Sequence, residues 1–540
     1  MASPDTFDYV IVGAGSAGSL LASRLAQNSS LRICLLEAGP KDTNPFIHIP
    51  AGFIKLIFNP NITWGFNTEP GVHINNRSIP ALQGKVVGGS ASINGMIYVR
   101  GQSQDYDTWG DAGIKGWSYH DVLPYFKRTE SLVTDGDHKY RGQNGNMPIT
   151  HLTWKNDLVA EFIEAAQQAN IPRNDDYNGA NQEGVGVYQS NIGRGFRKGT
   201  AQAFLKEALK KGTINLRTKA VATELIFDER GVSGVKYTTD QGNTHQSVYA
   251  SKQVILCCGA INTPRLMQVS GIGDAEHLDS IDVPLKHNLP GVGQNLRDHY
   301  TSRFTSKVSG SQTINDIVNS KPKLLWEGMK WLCGAPSILG MGVVLAGAFC
   351  KSEPHLDRPD LVITFTPGSF KEGFLGVLDN IPGMTTGVWP LRPFSSGYVK
   401  AKSRNVFDAP AIQPNYLADP RDREILLKGQ KIVRNILGKP AISQYIDEEL
   451  MPGSLIESDE ELNEYSRIQG LGGYHYCGTC RMGTENDKLA VVDSTLNVHG
   501  ISGLRIVDAS VMPNIVSGNT NAATMMIAER GADFVLKDLL

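Results

Sequence analysis

One stretch near the amino terminus limits the fold more than any other, residues 7–39, FDYVIVGAGSAGSLLASRLAQNSSLRICLLEAG. Residues 9–12 form a short apolar run rich in β-branched side chains, which predicts a buried strand. Gly13, Gly15 and Gly18 follow as G-x-G-x-x-G, and apolar residues then recur at helical spacing. A second apolar run at 33–36 ends at Glu37. The stretch therefore predicts a strand, a glycine turn, a helix and a second strand.

Each part of this unit suits a bound dinucleotide. The first glycine allows the tight turn, the second lets the backbone approach a pyrophosphate, and the third lets the helix pack closely on the strand. The helix that begins near Ser16 and Ala17 offers free N–H groups and a positive dipole end to phosphates. Glu37, followed by Ala38, can accept hydrogen bonds from a ribose diol. A structural glycine turn is the alternative interpretation, and the motif does not separate FAD from NAD.

Length, charge and cysteine content restrict the class of protein. A chain of 540 residues predicts two or more domains. A net charge of −2 without blocks of like charge argues against a nucleic-acid partner. The amino terminus lacks the pattern of a secretory signal, and the longest apolar run, 338–350, is too short to span a bilayer. We therefore expect a cytoplasmic protein, or one peripheral to the inner membrane. Cys477 and Cys480 form C-x-x-C without a second pair, so no metal site is predicted.

A second glycine-rich segment lies at 83–95, QGKVVGGSASING. Small residues at this density indicate a backbone that runs against a flat ligand, with serine and asparagine available to hydrogen-bond it. A flexible linker fits less well, because β-branched Val86, Val87 and Ile93 interrupt the glycines. Between the two segments, residues 39–80 are rich in proline, asparagine and glycine and include Trp64. We interpret them as a lid-like excursion from the dinucleotide fold.

The pair of glycine segments resembles the glucose-methanol-choline (GMC) family of flavoprotein oxidoreductases. The resemblance implies that the nucleotide is FAD and that residues 83–96 lie along its isoalloxazine ring and pyrophosphate. Some members attach the flavin through a histidine where this chain has Ile93, so non-covalent FAD is implied. The match continues through 259–273 and 291–299, and it is strongest to bacterial-type alcohol, choline and L-sorbose dehydrogenases.

The motifs and the resemblance together assign a set of cofactor-binding residues. Val221 matches a valine whose backbone meets the adenine ring in the family. Asp508 is assigned to the ribityl–phosphate region, with a helix cap or turn residue as the alternative. The full predicted set is Gly13, Gly15, Ser16, Ala17, Gly18, Glu37, Ala38, Trp64, Val86, Gly88, Gly89, Ser90, Asn94, Gly95, Val221, Cys258, Gly259, Asp508, Ala509, Asn519, Thr520 and Asn521.

The predicted fold class is α/β, a Rossmann-like FAD-binding domain with an α+β substrate domain built on an antiparallel sheet. We assign residues 1–300 to the FAD-binding domain, 301–469 to the substrate-binding domain, and 470–540 to a return into the first domain. Periodicity predicts helices at 158–169, 201–211 and 422–437 and strands at 214–217, 220–227, 361–366 and 397–401.

The chemical centre is predicted in the last part of the chain. Oxidation of a carbinol needs a group near neutrality to take the hydroxyl proton, and histidine is the usual choice. In the family the base lies in a segment similar to H-x-x-G-T-C-R-M-G, and its histidine or asparagine partner precedes the final helix. His475 and Asn519 occupy these positions. The alternative for one of twelve histidines is a surface or core residue.

Two helix starts are also predicted. Asn521 is a suitable N-cap for a final helix at 522–536, whose dipole would favour negative charge on a reduced flavin. Pro264 suits the first turn of a helix that follows Gly259, because proline has no N–H to satisfy there.

The predicted function is FAD-dependent oxidation of an alcohol to the aldehyde or ketone, with a primary alcohol or a sugar alcohol or ketose such as L-sorbose as substrate. Quinone, dye, carrier protein and dioxygen all remain open as electron acceptor. A choline dehydrogenase or oxidase, a lyase of the hydroxynitrile lyase type, and a nucleotide-binding scaffold without catalysis are the alternatives.

Overall fold

The computed structural model describes residues 5–134, 136–371 and 376–539, and the structural statements below refer to these residues. Residues 1–4 and residue 540, which the sequence assigns to the first domain, and residues 372–375 of the second lie outside them. The α-helices are α1 Ser16–Leu25, α2 Pro45–His48, α3 Ser103–Asp111, α4 Tyr119–Thr129, α5 Asp157–Gln168, α6 Lys206–Leu209, α7 Gly259–Val269, α8 Ala275–Ser280, α9 Ile314–Val318, α10 Lys321–Leu332, α11 Pro420–Leu437, α12 Pro440–Ser443, α13 Asp459–Gln469 and α14 Asn521–Lys537.

Most strands belong to two large sheets. Their bounds are β1 Thr6–Val12, β2 Ile33–Leu36, β3 Gly184–Val187, β4 Ile214–Arg217, β5 Val221–Asp228, β6 Gly231–Thr238, β7 Gln246–Leu256, β8 Tyr300–Val308, β9 Ala346–Cys350, β10 Leu361–Thr366, β11 Gly383–Pro390, β12 Ile446–Met451, β13 Leu471–Gly472 and β14 Leu504–Ile506. Smaller sheets pair Phe66–Asn67 with Pro80–Ala81, Glu130–Leu132 and Gln189–Ser190 with Met147–His151, Ile192–Gly193 with Phe196–Arg197, Ile272–Gly273 with His287–Asn288, and Gln294–Leu296 and Ala411–Gln413 with Gly397–Lys400.

The first large sheet has the order β4-β2-β1-β7-β6-β5, with β14 paired to the carboxyl end of β7. Strands β1, β2, β4, β7 and β14 run parallel, and β5 and β6 extend the edge as an antiparallel meander. Helix α14 packs against α1 and α4, and its buried Glu529 forms ion pairs with Arg24 and Arg128 at 2.6 and 2.7 Å. The last part of the chain thus returns to the first domain.

The second large sheet is antiparallel and has the order β12-β8-β11-β10-β9-β3, with β13 paired to β8. Helices α5 and α11 cover one of its faces, where Phe162 stacks on Phe365 with ring centroids 4.5 Å apart. The opposite face carries Thr301, Arg303 and Thr364, which line a cavity. The second layer is thus an α+β unit built on an antiparallel sheet, as predicted.

One segment of the predicted first domain lies in the second. Helix α5 and strand β3 are within residues 1–300, yet α5 packs into the core of the antiparallel sheet and β3 forms its edge beside β9. The packing of this segment therefore differs from that of the rest of the range assigned to the FAD-binding domain. No change of composition marks the point at which the chain crosses between the two layers.

The excursion at 39–80 is packed rather than free-standing. Its Ile47, Leu56 and Ile62 form a buried cluster with Val86 and Ile93 of the second glycine segment. Other residues of the excursion line the cavity, so the excursion forms part of its wall. No helix within the described ranges is both long enough and apolar enough to cross a bilayer.

Candidate active site

A cavity is lined by residues from both large sheets, from Val12 and Val221 in the first to Thr301 and Thr364 in the second. It brings together nearly all the residues that the sequence assigned to the site. The predicted residues in its wall are Gly13, Gly15, Ser16, Ala17, Glu37, Ala38, Trp64, Gly89, Ser90, Asn94, Gly95, Val221, Cys258, Gly259, His475, Asp508, Ala509, Asn519, Thr520 and Asn521.

Three predicted cofactor-binding residues, Gly18, Val86 and Gly88, lie behind this wall. A Cβ on Gly18 would lie 1.9 Å from the carbonyl oxygen of Gly13, so Gly18 serves the close packing of α1 on β1. Val86 is buried in the excursion cluster. Gly88 has φ of +90° and donates its N–H to the carbonyl of Ala14 at 2.7 Å. All three support the glycine segments from outside the cavity.

The two glycine segments meet at the cavity. A Cβ on Gly89 would lie 2.7 Å from Cα of Gly15, so the close approach of the two backbones needs a glycine at position 89. Gly259, with φ of +81°, has open space where its Cβ would be. The wall is therefore formed by bare backbone at several points, which suits a ligand that approaches main-chain N–H groups.

Glu37 closes the nucleotide end of this wall. Its two carboxylate oxygens accept hydrogen bonds from the N–H groups of Ala14 and Gly39 at 2.9 and 2.8 Å. Burial raises the pKa of Glu37 to about 7, and these two hydrogen bonds oppose the rise. Each oxygen keeps a second lone pair, so Glu37 can still accept hydrogen bonds from a ribose diol.

Asp508 uses its side chain within the protein. Its Oδ2 accepts hydrogen bonds from the N–H of Gly259 and the hydroxyl of Thr263, and its Oδ1 accepts from the N–H of Ser510. It caps the short 3₁₀ helix Ala509–Val511. The carboxylate thus acts as the helix cap that the sequence analysis gave as the alternative. Asp508 lines the cavity while it fixes the loop and the start of α7.

Two helix N-termini converge on the cavity. Helix α14 begins at Asn521 and its N-cap is Thr520, so the prediction of Asn521 as the cap is wrong by one position. The side-chain oxygen of Asn521 instead accepts a hydrogen bond from the hydroxyl of Ser16, in the first turn of α1, at 2.8 Å. Both helices present unpaired N–H groups and positive dipole ends at this point, where a phosphate or a reduced flavin would carry negative charge.

Asn94 is oriented by a buried arginine. Its Oδ1 accepts hydrogen bonds from Nη1 of Arg197 at 2.7 Å and from the N–H of Met96 at 3.1 Å. Because the oxygen is engaged, the amide NH₂ is the group that Asn94 offers to the cavity. The bare backbone, the helix N-termini, Glu37 and Asn94 together fit FAD, and they would hold its pyrophosphate, ribose and flavin ring.

His475 is hydrogen-bonded through both ring nitrogens. Its Nε2 lies 2.8 Å from Nδ2 of Asn519, and its Nδ1 lies 2.8 Å from Nδ1 of His299. Nε2 of His299 lies 2.8 Å from the carbonyl oxygen of Leu391. A carbonyl only accepts, so His299 carries its proton on Nε2 and offers the lone pair of Nδ1. His475 must then donate from Nδ1, which leaves the lone pair on its Nε2 as the basic site.

Burial keeps both imidazoles neutral near pH 7. It lowers the pKa of His475 well below 6.5, and the neighbouring His299 adds to the lowering. Burial also lowers the pKa of His299 to about 4. The structure thus holds His475 in the form that can accept a proton.

Asp298 fixes the backbone on either side of this imidazole. Its carboxylate accepts hydrogen bonds from the N–H groups of His475 and Tyr474, at 2.6 and 3.3 Å, and from the hydroxyl of Tyr416. Tyr474 has φ of +63°, a left-handed conformation that is strained for a bulky residue. Burial raises the pKa of Asp298 to about 7, against the effect of these hydrogen bonds.

The segment after His475 is anchored to α7. Pro264 lies inside α7, not in its first turn as predicted, because the helix already begins at Gly259. Proline has no N–H, so the carbonyl of Ala260 lacks its helical partner. The hydroxyl of Thr479 donates to that carbonyl at 2.6 Å. The proline therefore creates an acceptor that holds the His475 segment in place.

Sequence analysis missed Asp298 and His299. Both lie in the stretch 291–299, which was matched to the family without a role for either side chain. An acidic residue and a histidine in succession after a glycine-rich loop are the signal that could have identified them. Their function depends on contacts with residues 176 or 177 positions away.

Comparison with known proteins agrees with this geometry. Residues 7–301 and 393–528 match the amino- and carboxyl-terminal domains of the GMC oxidoreductase family. The chain is 40% identical over 533 residues to an alcohol dehydrogenase [acceptor] of Pseudomonas putida, covering 98% of this chain and 96% of that protein. It is 37% identical over 539 residues to an oxygen-dependent choline dehydrogenase of Sinorhizobium fredii, covering 98% and 95%.

A solved structure shares the whole fold. The formate oxidase of Aspergillus oryzae, studied for its FAD modification, superposes with a TM-score of 0.92 and 26% identity over 100% of both chains. The family matches cover most of the chain, and both large sheets and the cavity between them follow that architecture. The chain therefore belongs to the GMC oxidoreductase family, and it is an FAD-dependent enzyme that acts on CH–OH donors.

Proposed function

We propose that the cavity oxidises the carbinol of a primary alcohol, or of a sugar alcohol or ketose such as L-sorbose, with His475 as the base. The observation that supports this most is the neutral His475 whose Nε2 lone pair is fixed by His299. FAD, when bound, supplies the hydride acceptor at N5 of its flavin. The similarity to an alcohol dehydrogenase agrees with a simple alcohol as substrate.

The hydrogen-bond chain through His475 suits transfer of the hydroxyl proton. An alcohol O–H would donate to Nε2 in place of Asn519, and the proton would move to that nitrogen. The imidazolium that forms still donates from Nδ1 to His299, whose own N–H donates to the carbonyl of Leu391. A charged donor strengthens such a hydrogen bond, so the chain stabilises the protonated base.

Asn519 is proposed to orient the substrate. Once the alcohol bonds to Nε2 of His475, the amide N–H of Asn519 can donate to the substrate oxygen and fix the direction of the C–H bond. We expect Asn519→Ala to slow reduction of the bound flavin by roughly 10-fold or more while the enzyme retains its FAD, because orientation contributes to the rate. Anaerobic stopped-flow absorbance gives the rate, and the exposed Asn514→Ala in the same loop is the control. Loss of FAD from the Asn519 variant would show a structural role instead.

The rate of flavin reduction should be insensitive to pH from neutral to mildly acidic conditions. The base acts in its neutral form. Because the pKa of His475 is lowered well below 6.5, the imidazole becomes protonated, and the base is lost, only at a pH well below 6.5. We therefore expect no decline in the rate as the pH is lowered through 6.5, the usual pKa of a histidine. A rate that is already falling between pH 8 and pH 7 would contradict this assignment.

A panel of donors tests the substrate class. The FAD-loaded enzyme is mixed without oxygen with linear primary alcohols, polyols, L-sorbose and choline while the visible flavin absorbance is followed. We expect primary or sugar alcohols to reduce the flavin, and readmission of air or addition of a quinone or dye then identifies the acceptor. A lyase of the same fold, or a scaffold without catalysis, would leave the flavin oxidised with every alcohol.

Helix α10 offers a surface for contact with a membrane. Its exposed side carries Leu325, Trp326, Met329 and Leu332, while its buried residue is the acidic Glu327. Exposed Lys321 and Lys323 at its start add positive charge. Apolar and cationic side chains on one short helix suit the interface of an anionic bilayer. We expect the enzyme to float with vesicles of mixed phosphatidylcholine and phosphatidylglycerol, and Trp326→Glu with Leu332→Glu to abolish this. Equal recovery of both proteins with the vesicles would contradict the proposal.

A further inference from the structure

The face of the second sheet that lines the cavity carries one cationic side chain, that of Arg303 in β8. Arg303 stands beside Gly387 of β11, which in turn stands beside Thr364 of β10. Gly387 has no side chain, and the hydroxyl groups of Thr364 and Thr301 lie over it, 2.9 and 3.4 Å from the position that a Cβ would take. Thr301 and Thr385 line the same face.

Arg303 has no carboxylate partner in the described part of the chain, and no described residue accepts a hydrogen bond from its guanidinium. Burial lowers the pKa of Arg303, and the phenol groups of Tyr474 and Tyr465 oppose this lowering. Arg141, by contrast, is paired with Glu130 and Asp176, whereas Arg197 and Arg265 are, like Arg303, without a carboxylate partner among the described residues. A desolvated guanidinium without a counter-charge is costly, and an anion placed beside it would offset that cost.

The described acidic side chains of the cavity wall are hydrogen-bonded elsewhere and do not pair with Arg303. Among the described lining residues they are Glu37 and Asp508, and both carboxylates accept hydrogen bonds from backbone N–H groups of the cofactor-binding loops. The sheet face above the cavity therefore offers a cation and hydroxyl groups and no described carboxylate. A quaternary ammonium substrate would meet a like charge there, whereas an oxyanion would meet donors.

Arg303 and the proposed base His475 line the same cavity. Tyr474, which also lines the cavity, directly precedes His475, and the hydroxyl of Tyr474 is buried without a hydrogen-bond partner among the described residues. The guanidinium and this free hydroxyl can both donate to the same group, whereas the hydroxyls of Thr301, Thr364 and Thr385 already donate to backbone carbonyls. Donors of this kind match the several lone pairs of a carboxylate or a phosphate.

We infer that the alcohol oxidised by this enzyme carries an oxyanion, which Arg303 binds while the carbinol reaches His475. The inference rests on the proposed alcohol oxidation and narrows its substrate to hydroxy acids or their phosphate counterparts. It separates this chain from its choline dehydrogenase relatives, which are named for a cationic alcohol. Arg303 would be a substrate-binding residue and would take no part in proton or hydride transfer.

The test compares matched donors with the FAD-loaded enzyme. Linear ω-hydroxycarboxylates of increasing length, the corresponding hydroxyalkyl phosphates, the diols and the amino alcohols are mixed with it anaerobically, and the rate constant of flavin reduction is divided by the dissociation constant. We expect the best anionic donor to exceed its matched diol by roughly 10- to 100-fold, the range for hydrogen bonds to a charged group. The two anionic series distinguish carboxylate from phosphate.

Variants assign the preference to the arginine. In Arg303→Met the rate constant divided by the dissociation constant should be the same for the anionic donor and its matched diol. Arg303→Lys should keep part of the preference for the anionic donor, and the exposed Arg404→Met should keep all of it. Flavin content and circular dichroism confirm that each variant is folded, and Arg303→Gln replaces the methionine variant if that one is not. An equal response to diol and hydroxy acid in the wild type, or a preference that survives in Arg303→Met, would overturn the inference.

A binding measurement separates failure of the inference from failure of the proposed function. Hexanoate, which has no hydroxyl group to oxidise, should perturb the flavin spectrum of the wild type, and its dissociation constant should rise roughly 10-fold or more in Arg303→Met. If no alcohol reduces the flavin, the proposed oxidation fails, and the absence or presence of this hexanoate effect still decides whether Arg303 binds anions.

Discussion

Replacement of His475 by alanine is expected to slow reduction of the bound flavin by an alcohol by about 10²-fold or more, the usual scale for a lost general base. The wild-type enzyme presents an unprotonated Nε2 at the cavity, held by Asn519 and His299. Alanine leaves the hydroxyl proton without an acceptor other than water. Anaerobic stopped-flow mixing measures this step without interference from the electron acceptor.

Two controls make the result specific to the base. His355→Ala removes an exposed histidine and should leave the rate unchanged. The FAD content of His475→Ala should equal that of the wild type, because the groups that fit the dinucleotide are Glu37, Asn94 and the glycine segments. A variant that keeps its FAD and its reduction rate would remove His475 from the mechanism.

The second large effect is expected at His299, which does not itself reach the reacting atoms. His299→Leu removes the acceptor for Nδ1–H of His475, so the base is no longer held in the required tautomer and its protonated form loses a hydrogen bond. A hydrogen bond to a charged group contributes about 1.5–3 kcal/mol, so we expect flavin reduction to slow by roughly 10- to 100-fold.

A conservative variant distinguishes positioning from packing. His299→Asn can place an amide oxygen near the former Nδ1 and should recover most of the rate, whereas leucine, of similar size, should not. The comparison is made on flavin reduction with one alcohol at saturating concentration, so that effects on binding are excluded. Equal losses in the leucine and asparagine variants would show that His299 matters only for packing.

The parallel sheet was predictable because its signals are local. The strands predicted at 33–36 and 214–217 have these bounds in the structure, as does the strand predicted at 361–366 of the antiparallel sheet. The run at 33–36 is apolar and buried throughout, and a strand buried on both faces needs no more information than that. The glycine turn and Glu37 were predictable for the same reason, since the chemistry of a dinucleotide requires them at fixed spacing.

What could not be predicted depends on residues distant in sequence. Strand β3 joins a sheet whose other strands all lie at or after Tyr300 in the sequence, and no feature of residues 184–187 indicates this pairing. Pro264 is tolerated inside α7 only because Thr479 donates to the carbonyl that it leaves free. Propensity alone places such a proline at a helix start, and a tertiary hydrogen bond overrides it.

The sequence predicted which residues form the site better than it predicted the role of each residue. Motifs brought His475 and Asn519 into the prediction, and the structure puts them within 2.8 Å of each other. The carboxylate of Asp508 caps a 3₁₀ helix, which was the alternative for it, and the side chain of Asn521 accepts a hydrogen bond from Ser16 instead of capping α14. His299 was missed because its role depends on the two groups that its ring nitrogens contact, and the sequence shows neither contact.

The central claim is that this cavity breaks the carbinol C–H bond of an alcohol beside His475. The most direct measurement is anaerobic reduction of the bound flavin by one effective alcohol and by the same alcohol with deuterium at the carbinol carbon. We expect loss of the visible flavin absorbance with both, and a severalfold slower loss with the deuterated alcohol. A flavin that stays oxidised, or one whose reduction is the same with both alcohols and in His475→Ala, would contradict the account.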